Sequence, residues 1–243
     1  MRHLELFAGI GGFRRAMDLL TQDHIMDFHC IGYSEIDAKA VKTYCANYHP
    51  EVDGELAMGD IVEFTVNKNN IDNLPQFDLV TGGFPCQTFS MMGKQAGFNE
   101  DRGQMFFHII DILAVKMPRY VLLENVKNLK SHDKGRTFAR IKQELEALGY
   151  QVFTDIFNTA QFHLPQTRNR LLIFATTEPV PADFEVQFTC DNIAVLFDQV
   201  YQDLGTYHYQ SVNDILSLEV DKKYFLSEKI KPTLLADGSA NFK

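Results

Sequence analysis

Cys86 is the residue whose type and setting best suit nucleophilic chemistry. It follows the apolar run Phe77-Asp78-Leu79-Val80 within Gly82-Gly83-Phe84-Pro85-Cys86-Gln87. Open α/β sheets bind ligands at the carboxyl ends of their strands, and this cysteine sits just past one, pinned by a proline. A free thiol has a pKa of about 8.5, so little is thiolate at neutral pH unless the site lowers that value. The competing reading is a small buried hydrophobe, which suits Cys30, Cys45 and Cys190, because they lack this setting. Glu124 ends a second apolar run, Tyr120-Val121-Leu122-Leu123. A carboxyl desolvated there would favour its protonated form and could act as an acid; otherwise it is a salt bridge or a cap. Arg168 and Arg170 precede the run Leu171-Leu172-Ile173-Phe174, and strand alternation puts both on one side.

A second group of residues has the order of a nucleotide pocket. Phe7-Ala8-Gly9-Ile10-Gly11-Gly12 follows the first strand-like run. Glycines there permit a tight turn and close approach of a ligand, although packing of helix on strand also calls for glycine. Ser34-Glu35-Ile36-Asp37 ends the next run, where an acid typically holds ribose hydroxyls. At Gly59-Asp60-Ile61 a carboxylate could accept from an adenine amino group. Asp37 and Asp60 are equally good helix caps. Their order along three successive strand ends favours an adenosine-containing cofactor.

The elements that must carry these residues alternate. Strands are expected over 2–7, 28–33, 55–58, 77–81, 120–123, 150–157 and 171–176, and helices over 12–20, 37–48, 103–116 and 136–148. That order predicts an α/β fold: a mostly parallel, doubly wound sheet with helices on both faces. The last two strands have no helix between them, which predicts an antiparallel edge hairpin. Glu178-Pro179-Val180-Pro181 reads as a boundary, giving domains over 1–178 and 179–243. The 243 residues suffice for one α/β domain plus an appendage. The 4 cysteines have no close pairing, which points to reduced thiols in a cytosolic protein rather than a disulfide scaffold. No signal peptide and no bilayer-spanning run is seen. The net charge of -9 argues against gripping nucleic acid with the whole surface. A basic cluster, Lys127, Lys130, Lys134, Arg136, Arg140 and Lys142, reads mainly as a solvated helix face over 136–142.

Together these segments resemble the DNA (cytosine-5) methyltransferase family of bacterial restriction-modification type. The matching pieces are Phe7-Ala8-Gly9-Ile10-Gly11-Gly12, Glu35, Gly59-Asp60-Ile61, Gly83-Phe84-Pro85-Cys86-Gln87, Asp101-Arg102-Gly103, Glu124-Asn125-Val126 and Gln166-Thr167-Arg168-Asn169-Arg170. They occur in the family's order and cover about residues 3–176. The resemblance implies a Rossmann-like sheet, S-adenosyl-L-methionine as cofactor with S-adenosyl-L-homocysteine as product, and no metal. Phe7, Gly9, Ile10, Gly11, Glu35, Ile36, Asp60, Ile61, Gly83, Pro85 and Met105 would line the cofactor. Cys86 would attack carbon 6 of a flipped-out cytosine, Glu124 would serve ring nitrogen 3, and Arg170, supported by Arg168, would hold oxygen 2. A mobile loop would bring Ser90, Lys94 and Arg102 to double-stranded DNA.

The chain departs from the family after Arg170, where no target-recognition region follows. This implies a missing carboxyl-terminal part or a second subunit, with little activity from the chain alone, in a bacterial cytoplasm and away from membranes. Rival readings are a transfer RNA cytosine-5 methyltransferase, a non-catalytic cofactor-binding subunit of a DNA-modification complex, and a nucleotide-dependent oxidoreductase.

Overall fold

Where each apolar run stops decides which residues face the site. The computed structural model describes residues 1–85, 105–164, 166–204 and 219–221, the side chains of 201–204 excepted. Strand β1 is Arg2–Leu6, followed by helix α1 (Gly12–Gln22), β2 (His29–Ser34), α2 (Ala38–Tyr48) and the short α3 (Pro50–Asp53). Next come β3 (Leu56–Gly59), α4 (Ile61–Val66), α5 (Lys68–Asn73), β4 (Leu79–Gly83) and α6 (Met105–Lys116). Strand β5 (Tyr120–Val126) leads through two 3-10 turns, Lys127–Lys130 and His132–Gly135, into α7 (Arg136–Ala147). Then follow β6 (Gln151–Asn158), a 3-10 turn at Thr159–Phe162, β7 (Asn169–Thr176), α8 (Phe184–Gln187) and α9 (Cys190–Leu204).

Among the described residues these strands form one sheet in the order β3-β2-β1-β4-β5-β7-β6. Pairs β1/β2, β1/β4, β2/β3 and β4/β5 are parallel, while β5/β7 and β6/β7 are antiparallel. The expected doubly wound sheet with an antiparallel edge is therefore present. Its order reverses between β1 and β4, and the crevice at such a switch point is where these sheets bind ligands.

The core follows from strand alternation. Val121, Leu123, Leu171, Ile173 and Ala175 are fully buried, in one cluster with Ile109, Ile112 and Leu113 of α6 and Ile141 and Leu145 of α7. The opposite face of the hairpin is aromatic. Tyr120 and Phe153 each stack on Phe174, and Phe184 of α8 meets Phe153 edge-on at 4.7 Å. Helix α9 is tied to the β6 region: Cys190 N–H donates to Asp155 at 2.7 Å, Gln161 to Asp191 at 2.6 Å, and His163 pairs with Asp198 at 2.6 Å. Chain contacts accordingly group Met1–Tyr207 in one compact unit and His208–Lys243 in another.

Strands β4 and β5 run further than their apolar runs suggest. β4 includes Gly82 and Gly83, poor strand formers. A methyl at Gly82 would lie 2.9 Å from the Leu6 carbonyl oxygen, so close approach to β1 excludes a side chain there. β5 continues through Glu124, Asn125 and Val126 because β7 pairs with all three.

Candidate active site

One end of the candidate site is built on the turn after β1. Phe7, Gly9 and Gly11 all take positive φ, at 53°, 57° and 89°. Ala8 N–H donates to the Ser34 carbonyl, which keeps the turn beside the end of β2. There Glu35 acts as a hub: Oε2 accepts from Gly9 N–H at 2.7 Å, and Oε1 accepts from the N–H groups of Ile36 and Asp37 at 2.8 Å each. Three of the roughly four lone-pair sites of a carboxylate are thus engaged by backbone.

Phe7, Ser34, Glu35, Ile36, Asp60, Ile61 and Met105 enclose a cleft of about 40 Å³. Six of these seven come from the sequence reading; Ser34 does not, and its hydroxyl donates to the Gly59 carbonyl at 2.9 Å. The space is about one water's share of liquid volume, so a nucleoside would have to part these side chains. Asp60 caps α4 through Oδ1, which accepts from Val62 N–H, and Asp37 caps α2. For Asp60, cap and cleft wall coincide. Ile10 is exposed on the turn and Ile36 on the cleft rim.

Beneath the turn lies a buried carboxyl. Glu5 is 1 % exposed and accepts from Phe13 N–H in the first turn of α1 at 3.2 Å. Burial, opposed by that bond and by Arg14, pushes its pKa up to about 7. A carboxyl raised in the folded state stabilises the fold fully below its unfolded value, near 4.5, and that stability is lost as the pH climbs to about 7. His3, on the same strand face, is pushed down to about 3 by burial and works in the opposite sense. The difference between wild type and Glu5→Gln isolates the carboxyl. In urea unfolding at pH 5 and pH 8, the variant is expected to gain stability relative to wild type as the pH rises. A pH-independent difference would assign the slope elsewhere.

The other end of the site joins β4, β5 and β7. Gly83 pairs with Glu124, and a methyl on Gly83 would sit 3.3 Å from Glu124 Oε2. Gly83 thus faces the carboxylate, and Gly83 and Pro85 are not among the residues that enclose the 40 Å³ cleft. Because β7 is antiparallel, its first residues lie beside the carboxyl end of β5, with Val126 opposite Arg170. Arg170 Nε is 2.5 Å from Glu124 Oε1, and Arg168 Nη2 is 3.9 Å from the same oxygen. Glu124 keeps 26 % side-chain exposure, so its burial is partial and an arginine covers one side. Arg170 Nη1 donates to the Asn169 carbonyl. Thr159 fixes the arginine segment: its N–H donates to the Arg168 carbonyl, and its hydroxyl accepts from Arg168 N–H and donates to the Gln166 carbonyl. An open cleft of about 410 Å³ follows, walled by Val126-Lys127-Asn128 and Gln166-Thr167-Arg168-Asn169-Arg170.

Cys86 and the loop residues Ser90, Lys94 and Arg102 lie outside the described residues. The basic cluster divides as expected over 136–142. Arg136 pairs with Asp133, Arg140 with Glu144 and Lys142 with Glu146, whereas Lys127 borders the cleft.

The profile of the C-5 cytosine-specific DNA methylases matches residues 1–236. The chain belongs to this family. The type II methyltransferase M.NlaX of Neisseria lactamica is 37% identical over 227 residues, covering 93% of this chain and 63% of that protein. The type II methyltransferase M.HgiCI of Herpetosiphon aurantiacus is 41% identical over 181 residues, covering 74% and 40%. This methylase-family chain spans about half the length of the curated relatives it matches. Its fold is also that of the Dnmt2 methyltransferase of S. pombe, with a TM-score of 0.66 at 22% identity over 95% of this chain and 64% of that one. Among the described residues no cluster of three metal-ligating side chains occurs, and no helix is long and apolar enough to cross a membrane.

Proposed function

We propose that this protein transfers a methyl group from S-adenosyl-L-methionine to carbon 5 of a cytosine flipped out of double-stranded DNA, through a covalent adduct on Cys86. The observation that carries the reading is the meeting of Glu124, Arg168 and Arg170 beside Gly83-Phe84-Pro85, one strand from the glycine turn. This is a base-binding end and a nucleoside-binding end on the two sides of one switch point.

Once these side chains part, the residues of the cleft suit the group. Phe7, Ile36, Ile61 and Met105 supply apolar faces for a purine, Asp60 an acceptor, and Glu35 one remaining lone-pair site for a ribose hydroxyl. When bound, the methyl sulfonium supplies an electrophilic carbon. Flipping the base costs a few kcal/mol. The Cys86 thiolate adds to carbon 6 and breaks the ring's aromaticity, which makes carbon 5 nucleophilic. Glu124 holds ring nitrogen 3 and draws charge from the ring. Arg170 holds oxygen 2: its Nε and Nη1 are engaged, and among the described residues Nη2 has no partner. Once carbon 5 carries the methyl group, its proton passes to water, and the pair from that C–H bond re-forms the C5–C6 double bond as the bond from carbon 6 to Cys86 breaks. Closure of the 90–103 loop, with Ser90, Lys94 and Arg102 at the DNA, would exclude water. Lys127 extends the cation-lined cleft toward phosphates.

In this reading residues 1–178 carry cofactor and base chemistry, and 179–243 lead toward target recognition. Recognition itself is completed by a part outside these 243 residues, in the same or a second polypeptide, since the matched relatives are about twice as long. The setting is a bacterial cytoplasm, beside a restriction-modification system. The test is a duplex carrying 5-fluorocytosine, offered with cofactor to the chain alone and with a complementing polypeptide. A trapped adduct mapped to Cys86 is the expected result. Continued methylation without an adduct at Cys86 overturns the mechanism, and sequence-specific methylation by the chain alone overturns the need for a completing part.

A further inference from the structure

We infer that Thr159 is a positioning residue: its hydroxyl ties the segment carrying Arg168 and Arg170 to a turn seated on α9, and so keeps both guanidinium groups at Glu124. This rests on the functional reading above and deepens it. The ladder between β6 and β7 closes at the pair Asn158 and Asn169. Arg168 lies one residue before that rung and Arg170 one residue after it. Beyond the rung Thr159 holds the chain three times. Its N–H donates to the Arg168 carbonyl at 3.1 Å. Its hydroxyl accepts from Arg168 N–H at 3.0 Å and donates to the Gln166 carbonyl at 2.7 Å. Any residue except proline could make the backbone bond. The other two need a donor and an acceptor on one atom, which a hydroxyl supplies.

The far end of this tie is itself fixed. Asn158 Oδ1 accepts from Ala160 N–H and caps the 3-10 turn Thr159–Phe162. Gln161 of that turn donates to Asp191 of α9 at 2.6 Å, and the Phe162 ring meets Phe197 of α9 edge-on at 5.4 Å. Attraction to Glu124 does not replace the tie. Arg168 Nη2 stands 3.9 Å from Glu124 Oε1 with half its side chain exposed, and exposed ion pairs hold geometry weakly. The arginines thus take their place from the backbone that Thr159 grips. For reacting groups that must align, a misplacement of about 1 Å can cost about 10²-fold in rate.

The test removes the hydroxyl and keeps the branched shape. In the form that carries wild-type methyl transfer, Thr159→Val is expected to lose about 10-fold in kcat, less than the full cost of misplacement because the backbone bond to Arg168 remains. Thr159→Ser keeps the hydroxyl and should bring kcat to within about twofold of wild type. The duplex KM should stay within about threefold, because phosphate contacts supply most of the affinity for DNA. Cofactor Kd, read on the chain itself, should stay within about twofold, since Thr159 does not line the cleft proposed for the cofactor. Rates are counted per molecule trapped on a 5-fluorocytosine duplex, which discounts any misfolded fraction. A wild-type kcat in Thr159→Val, a loss that Thr159→Ser does not restore, or a loss carried by KM or cofactor Kd overturns the inference. Thr159→Ala also lacks the hydroxyl, so wild-type rates from it overturn the inference even if the valine variant does not fold. Absence of a Cys86 adduct in an active wild type would instead sink the functional reading, which separates the two failures.

Discussion

Glu124→Gln is expected to lower the rate of methyl transfer by about 10²–10⁴-fold, the range typical of a positioned acid, while leaving cofactor binding nearly unchanged. Glutamine keeps the shape and can still donate an N–H to ring nitrogen 3, but it carries no transferable proton. It also dissolves the ion pair with Arg170, which lies at 2.5 Å. The arginine is then held less firmly on the line proposed for oxygen 2. Both effects act on the base end alone. The cleft proposed for the cofactor is walled by Phe7, Glu35 and Asp60 at the ends of other strands, so cofactor affinity provides the control. Single-turnover rates with a matched duplex, beside calorimetric titration with the cofactor, give the two numbers. A rate within about threefold of wild type would remove Glu124 from the chemistry.

The second large effect is on the glycine turn. Gly11→Ala should destabilise the protein by about 2–3 kcal/mol and weaken cofactor binding. Gly11 has φ of 89°, and a left-handed backbone costs an ordinary residue about 1–2 kcal/mol. A methyl there would also meet Tyr48 Cε2 at 2.2 Å. Tyr48 would have to move, breaking its 2.8 Å bond to the Gly11 carbonyl, at about 0.5–1.5 kcal/mol. The Arg14 guanidinium over its ring, at 5.3 Å, would shift with it. Gly9→Ala is the control. Its φ is also positive, but nothing lies within 4 Å of the added methyl, so only the backbone cost of about 1–2 kcal/mol applies. Urea unfolding of both variants tests this, and equal losses would show that Tyr48 yields freely.

The glycine turn, Glu35 and the strands that end at them were readable because each depends on local chemistry: a left-handed turn needs glycine, and a buried strand needs an apolar run. The two arginines were readable once β7 was taken as antiparallel. The bond from Asn125 Nδ2 to the Phe84 carbonyl was not, although Glu124-Asn125-Val126 stood out as a motif, because a polar residue one step past an apolar run gives no local sign that a carbonyl 41 positions earlier needs a donor. Helix α9 was missed for a similar reason. Its contact with the β6 region includes the partly exposed pair of Asp198 and His163, while Val195 and Leu196 face outward, 56 % and 53 % exposed. The short α4 and α5, of six residues each, are held by Asp60 and Asn67 caps rather than by periodicity.

The antiparallel run of β7 also bears on how an error in assembly would be felt. It enters the sheet between two strands that precede it in the chain, so the hairpin with β6 must choose its register before the site exists. A slip of one residue would turn Arg170 to the opposite face and take its guanidinium away from Glu124. A slip of two preserves the alternation and brings Arg168 opposite Val126 in place of Arg170. Two arginines spaced by one residue thus give the assembling sheet a second register in which the carboxylate still finds a cation.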